Sequence, residues 1–459
     1  MPNGADALST DLNGMLGSGP RSGRWGVMVV SLTRGDTLFA HDADMLLQPA
    51  STMKLFTAAL ALDRFGPAHF FTTDVLRAGP LEPDGTVAGD LVLRGGGDPA
   101  LSNRFVRGPL DAPMDVLARF VAGAGVRHVR GDLIADASAF EQRRIPEGWL
   151  SRYLGASYAA PVSALSLNEN TVWVVVTPGA SGRPAKVALE PSSSAIPVTS
   201  LVRTTAGGGG RVSVRRLAGG ALEVRGFIGR RSGPRRYEVV ADDPTLFAAG
   251  AFRDALAAQG ILVDGTIRFA PTPEGAEQVA SLPSPPLDRL VAVMNRESVN
   301  HFAELIFRNA ARTVAPVGTA AEGETLLKRF LAEKVAADTV GFVAADGSGL
   351  SVLDRASPRT LIQLLAYAHR APWASVFHAS LPVAGESELL RHRMRFTPAQ
   401  GNLHAKTGTT NAVISLAGYA TARNGEVVAF AFVYNGSDRW RARHAIDEMG
   451  ATLAGFVRE

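Results

Sequence analysis

With 459 residues, the chain exceeds what one hydrophobic core ordinarily organises, so two or three domains are expected. Its 46% hydrophobic and 20% charged residues exclude wholesale disorder, and 47 basic against 43 acidic residues leave a net charge of only +4, which makes no case for a nucleic-acid partner. Cysteine is absent, which excludes a thiol nucleophile, a disulfide framework and any cysteine-ligated metal.

Residues 1–24 read as a polar, Gly- and Ser-rich tail with a helical stretch around Ala7–Leu16 and no apolar run of the signal-peptide kind. Trp25–Leu32 and Asp36–Ala40 flank Thr33-Arg34-Gly35 as a hairpin. Val27–Val30 is far too short to span a bilayer, so no integral membrane segment is expected; peripheral membrane contact stays compatible with the sequence. Ser51–Phe65 follows as a helix, with Met53, Phe56 and Leu60 at apolar positions and Ser51 at its start.

Phe70–Arg94 looks like short strands ending in Gly95-Gly96-Gly97-Asp98-Pro99, Pro113–Ala122 like a helix and Val126–Asp136 like a strand. Residues 165–240 are rich in Val, Thr, Arg and Gly, alternate at Arg211–Arg215 and hold a β-branched run at Val172–Val176, which marks a β-rich insertion. Helical texture returns from Asp243, over Leu246–Gln259, Leu287–Met294 and Val299–Ala311. Leu416–Ala420 and Val427–Tyr434 flank Arg423-Asn424-Gly425 as a second hairpin, and Trp440–Arg458 closes the chain as a helix. The simplest parse is one split domain, 1–68 plus 243–459, carrying the residues between as an insert.

Three short motifs occur in order: Ser51-Thr52-Met53-Lys54 as S-x-x-K, Ser298-Val299-Asn300 as S-x-N, and Lys406-Thr407-Gly408 as K-T-G. Residues three apart share a helix face, so Lys54 can reach the Ser51 hydroxyl. A serine is a weak nucleophile until a base takes its proton. Lysine serves as that base only when its pKa falls from about 10.4 towards roughly 7–8, by burial or nearby positive charge. Lys406 would supply a second cation and Asn300 would hold the Lys54 amine. The helix start at Ser51 and the backbone N–H of Thr409, on a strand edge after K-T-G, suit a developing oxyanion, while Lys406 and Thr407 suit a substrate carboxylate. Alone, Ser51 would be an N-cap serine, Ser298 and Asn300 polar helix residues, and Lys406 a solvated strand end. Their order, spacing and local context together favour chemistry.

On these residues the chain resembles the low-molecular-mass class C penicillin-binding proteins, D-alanyl-D-alanine carboxypeptidases and endopeptidases with inserted domains. The resemblance extends to Pro49-Ala50, Gly96-Gly97-Asp98-Pro99, Ala160-Pro161-Val162-Ser163-Ala164-Leu165, Asp346-Gly347-Ser348-Gly349-Leu350-Ser351, Leu381-Pro382-Val383-Ala384-Gly385 and Ala405 through Thr409. It implies an α+β fold: a β-lactamase/transpeptidase-like catalytic domain, with a five-stranded antiparallel sheet between helices, split by two nested smaller domains. In that scheme 1–68 and 243–459 are catalytic, 69–96 and 165–242 form one insert domain, and 97–164 is nested within it. The resemblance further implies export to the periplasm or cell surface, peptidoglycan stem peptides as substrate, no metal or other cofactor, and covalent inhibition by β-lactam antibiotics. In the mechanism it suggests, Lys54 deprotonates Ser51 for attack between two D-alanines, the Ser51 and Thr409 N–H groups hold the oxyanion, and Ser298 relays the proton to the leaving amine. Thr407, Gly408 and Thr409 would line the substrate site.

One position departs from the family: Val352 follows Ser351 where these enzymes often have an arginine, and Arg355 is the nearest one. Asp136 is a candidate ligand for a substrate amine, against its plainer reading as a strand-end turn residue. Gly207–Gly210 lacks the lysine and helix of a phosphate loop and reads as a turn. The arginines from Arg211 to Arg236 read as a solvated β surface, with contact to acidic wall polymer as the functional alternative. The nine histidines show no metal-ligand spacing. Two other functions share the motifs or the fold: a β-lactamase or β-lactamase-like esterase, disfavoured by the long insert, and a non-catalytic wall-binding protein, disfavoured by the intact nucleophile set.

Overall fold

The computed structural model describes residues 2–20 and 22–458, and the chain divides into two compact units. The first comprises Met1–His69, Pro146–Leu150 and Pro286–Glu459; the second comprises Phe70–Ile145 and Ser151–Pro285.

In chain order, the first unit holds α1 (Ala5–Ser18), β1 (Arg24–Ser31), β2 (Thr37–His41), α2 (Met53–Phe65), α3 (Leu287–Arg296), α4 (Asn300–Ala311), α5 (Ala320–Phe330), α6 (Pro358–Arg370), α7 (Ala374–Ala379), β3 (His404–Thr409), β4 (Val413–Thr421), β5 (Val427–Asn435) and α8 (Arg439–Gly455). The strands form an antiparallel sheet in the order β3-β4-β5-β1-β2. That is the five-stranded antiparallel sheet of the expected α+β fold. β4 and β5 are almost continuously buried, as central strands covered on both faces must be, and their Val, Ile, Phe and Ala runs supply that surface. On one face, Ile446, Met449 and Leu453 of α8 and Leu8 and Leu12 of α1 share a core with Ile414, Leu416, Phe430 and Phe432. On the other, α6 packs against β1 and β5, capped by Ser357, whose hydroxyl accepts from Thr360 N, with Pro358 at the first turn.

α1 contains the helical stretch expected around Ala7–Leu16, but it is packed into the core and is not a tail. Gly14 and Gly17 blur its pattern in sequence, yet Leu8 and Leu12, one turn apart, are completely buried.

The second unit has a mixed sheet in the order Ile267–Phe269, Leu133–Asp136, Asp90–Gly95, Thr72–Ala78, Glu277–Pro283. The helices Ala112–Gly123 and Pro244–Ala258 share its core, through Met114, Leu117, Phe247, Phe252 and Leu256 with Val75, Leu91, Leu93 and Leu133. Residues 243–285 therefore cluster with the insert and not with the catalytic part, where the sequence placed them. Helical periodicity states which face is buried but not against what. Thr171–Thr177, Lys186–Glu190 and Arg235–Val240 form one three-stranded sheet, and Val198–Thr205, Leu222–Gly229 and Gly210–Arg216 another. These enclose a small core of their own, around Val174, Val176, Val202, Val224 and Ile228. Thus the strands at 72–95 share a sheet with 133–136, and the stretch with a separate core is 171–240, where the expected scheme nested 97–164. Asp90–Gly95 pairs in parallel with Leu133–Asp136, a long-range pairing that local pattern does not carry. Among the described residues, no helix is long and apolar enough to cross a membrane.

Candidate active site

Ser51 sits in a single 3-10 turn, Ala50–Thr52, that runs directly into α2. The turn is held at its base: Thr52 Oγ1 and Ser415 Oγ both donate to the Pro49 carbonyl, at 2.7 and 2.8 Å. Ala50 adopts φ +48, a conformation costly for a residue with a Cβ and found where surrounding contacts enforce it.

One turn along, the Lys54 amine lies 3.1 Å from Ser51 Oγ. It also donates to Asn300 Oδ1 at 2.6 Å and to the Ser348 carbonyl at 2.7 Å. A neutral lysine amine has two protons and one lone pair. With the protons committed to two acceptors, the lone pair is left for the serine hydroxyl. Lys54 is completely buried, and its pKa falls from 10.5 to about 8. Burial is the cause; Asp346, Glu304 and Asp354 act in the opposite direction. Of the two sources expected, burial and nearby positive charge, burial is the one that lowers it.

Asn300 opens α4, and Ser298 stands in the turn before it with φ +60, a second strained non-glycine residue at the site. Lys406 Nζ donates to Ser298 Oγ at 2.9 Å and to the Thr407 carbonyl at 3.0 Å. It too is completely buried, and burial first, then the Lys54 charge, pushes its pKa well below the ordinary lysine value. The structure thus brings Ser51, Lys54, Ser298, Asn300 and Lys406 together through two lysine-centred bridges.

β3 is an edge strand. Ala405 N donates to the Pro382 carbonyl on the open side, and Thr410 N donates inward to Val413 O. By the two-residue alternation of a strand, the N–H groups of Thr407 and Thr409 face the open edge. Ser51, Ser298, Thr407 and Thr409 line one cleft of about 410 Å³. Gly408 lies against the nucleophile turn: a Cβ there would stand 2.1 Å from Ser415 Oγ and 2.9 Å from the Pro49 carbonyl.

Sequence reasoning named the Asp346–Ser351 motif but gave it no role; it is the supporting loop. Asp346 accepts from Ser348 N and Oγ, Gly349 N, Ser351 N and Trp149 Nε1, at 2.6–3.1 Å, and so fixes the Ser348 carbonyl on Lys54. Gly349, at φ +82, passes so close to the Ala50 carbonyl that a Cβ would sit 1.8 Å from it. The Asp-Gly-Ser-Gly turn was visible as a motif. Trp149, which joins the first unit from a short segment of the middle chain, had no local signal. Arg355 donates to the carbonyls of Val352 and Asp354, folded back on its own turn.

Asp136 is corrected. It lies in the second unit, 3% exposed, and its carboxylate accepts from Ser138 N, Thr272 N and Thr272 Oγ1 at 2.5–2.9 Å. These bonds hold its pKa low against burial and lock a strand-end turn, leaving no room for a substrate amine. His301, beside Asn300, is buried and kept neutral by burial, at a pKa of about 3.

Comparison with known proteins agrees with this geometry. The chain is 35% identical over 448 residues to the D-alanyl-D-alanine carboxypeptidase of Actinomadura sp. (strain R39), covering 94% of this chain and 81% of that one. Its fold matches the crystal structure of penicillin binding protein 4 (dacB) from Haemophilus influenzae with a TM-score of 0.81 at 23% identity, over 96% of this chain and 98% of that chain. The same protein complexed with a β-lactam matches at 0.75 and 22% identity, with the same coverage. The model of the D-Ala-D-Ala carboxypeptidase 3 (S13) family matches residues 8–455, from the first helix to the last, and the chain therefore belongs to that family of serine-type, penicillin-binding DD-peptidases.

Proposed function

We propose that this enzyme cleaves D-alanyl bonds of peptidoglycan stem peptides, at a terminal D-alanine or at a cross-link, through an acyl-enzyme on Ser51. Neutral Lys54 takes the Ser51 proton as Oγ attacks the carbonyl carbon, and the N–H groups of Ser51 and Thr409 receive the oxyanion. The proton passes through Ser298, held by Lys406, to the departing amine as the C–N bond breaks. Water then attacks the ester and frees the shortened peptide. Thr407, Gly408 and Thr409 line the substrate path. The observation that carries this reading is the Lys54 amine, 3.1 Å from Ser51 Oγ with both protons of its neutral form engaged elsewhere. We place the enzyme outside the cytoplasm, where its polymer substrate lies, and expect β-lactams to acylate the same serine.

Intact mass after mixing with benzylpenicillin tests this. A lasting adduct of one penicillin, absent in Ser51→Ala, is the expected result. A transient adduct with rapid penicillin turnover points to a β-lactamase, and no adduct points to a binding protein on this fold.

Gly408→Ala is expected to slow acylation at least about 10-fold and to cost roughly 1–3 kcal/mol of stability, since the Pro49 carbonyl it would press on is backbone and cannot swing away. Unchanged acylation and thermal melting would show that β3 and the nucleophile turn are free to separate.

A further inference from the structure

The cleft has a second wall that no motif marks. Besides the two serines and two threonines it is lined by Leu389, Arg393, Ile414, Arg439, Trp440 and Arg443, three cations and no acid. Their charges are not equivalent. Arg393 is 6% exposed and neutralised by Asp447 at 2.6 Å. Arg439 donates to the Thr410 carbonyl at 3.0 Å. Arg443 is exposed and, among the described residues, has no acid or carbonyl partner.

The strand register shows what this wall faces. Thr407 pairs with Leu416 and Thr409 with Ile414, and both apolar partners belong to the core shared with α8. Opposed residues of an antiparallel pair point to the same face, so the two threonine side chains project towards α8 and Lys406 towards α2. The hydroxyls can donate hydrogen bonds to an anion but bring no charge. Lys406 is directed elsewhere, its amine committed to Ser298 Oγ and the Thr407 carbonyl. A terminal carboxylate bound by the Thr407 and Thr409 hydroxyls thus finds the α2-side cation already engaged by Ser298 and the Thr407 carbonyl. The α8 side has another.

We propose that Arg443 completes the carboxylate subsite, its guanidinium and the Thr407 and Thr409 hydroxyls together holding the C-terminal carboxylate of the substrate's departing residue. Arginine is suited to the task because it is always charged and presents two parallel N–H donors to a carboxylate. Trp440, 77% exposed, lines the same cleft. This inference deepens the DD-peptidase reading and rests on it.

The test compares an acylated peptide ending in D-Ala-D-Ala with its C-terminal carboxamide, using wild type, Arg443→Ala and Arg443→Lys. For Arg443→Ala, kcat/KM on the free acid is expected to fall about 10- to 100-fold, mainly through KM, while the carboxamide is unaffected, so preference for the acid collapses. Arg443→Lys should restore part of it. Equal loss on both substrates, or none on either, overturns the proposal. Benzylpenicillin labelling of Ser51 in wild type separates the two levels: labelling with normal acid preference in Arg443→Ala refutes this subsite alone, whereas no labelling and no peptide cleavage in wild type bring down the parent reading with it.

Discussion

Replacing Lys54 with methionine is expected to slow benzylpenicillin acylation of Ser51 by about 10²- to 10⁴-fold, the usual contribution of a positioned general base. Methionine is close in length and fills the same buried channel in α2, so packing around Met53, Phe56 and Thr57 stays in place. What is lost is the lone pair 3.1 Å from Ser51 Oγ. The variant also strands two acceptors, Asn300 Oδ1 and the Ser348 carbonyl, so some stability goes with the activity. Stopped-flow acylation with a circular dichroism melt separates the two. Acylation within a few-fold of wild type would show that the serine is activated by another group.

The pH profile of the wild type follows from the same amine. Lys54 must be neutral to accept the proton, so acylation should rise with pH and level off above about 8, where burial has placed its pKa. At pH 7 a lysine of pKa 8 is neutral roughly 300 times more often than one at 10.5. Lysine, although ordinarily a poor base at neutral pH, becomes a usable one because its amine is completely buried. The ring of carboxylates behind it sets the limit: Asp346, Glu304 and Asp354 all favour the charged amine and keep the pKa from falling further.

The chemistry was legible in the sequence wherever it depends on side chains at fixed local spacing. Lys54 follows Ser51 by one helical turn, and Ser298 and Asn300 bracket one turn at the start of α4, so the motif and the geometry are nearly the same statement. The Ser348 carbonyl was not legible, because a backbone oxygen has no identity in a sequence; only the aspartate that aims it does. Trp149 and Arg443 were not legible for another reason. Each reaches the catalytic unit through tertiary placement, Trp149 from a five-residue return of the chain and Arg443 from one face of a closing helix whose orientation the pattern leaves open. The same gap misplaced Pro244–Ala258: a helix was expected there, but the sheet it covers belongs to the insert. Asp136 shows the converse error, a conspicuous acid whose hydrogen bonds are all spent on its own turn.

Arg308→Met is expected to cost about 3–5 kcal/mol in urea unfolding, the usual cost of breaking a buried ion pair by removing one partner. Arg308 and Glu304 stand one turn apart on α4, 1% and 0% exposed, with Nη1 2.6 Å from Oε2. The other Glu304 oxygen accepts from Gly347 N at 3.0 Å, in the loop that carries Ser348. Without the guanidinium, a buried carboxylate would stand beside Asp346 with its closest ion-pair partner gone. Already in the wild type, burial and then Asp346 raise the Glu304 pKa from 4.5 to about 7, with Arg308 opposing. In the variant it rises further, and the carboxyl keeps a proton in the fold that it loses on unfolding. A folded pKa above the unfolded one contributes stability that is complete below the unfolded value and is lost as pH climbs through the folded value. The deficit of Arg308→Met relative to wild type should therefore be smallest near pH 5 and widen towards pH 9. Adding Glu304→Gln to Arg308→Met should recover most of the loss and remove its pH dependence, because no buried charge remains to be compensated. A deficit below about 1 kcal/mol, flat with pH, would mean that water or a neighbouring group takes over from the arginine.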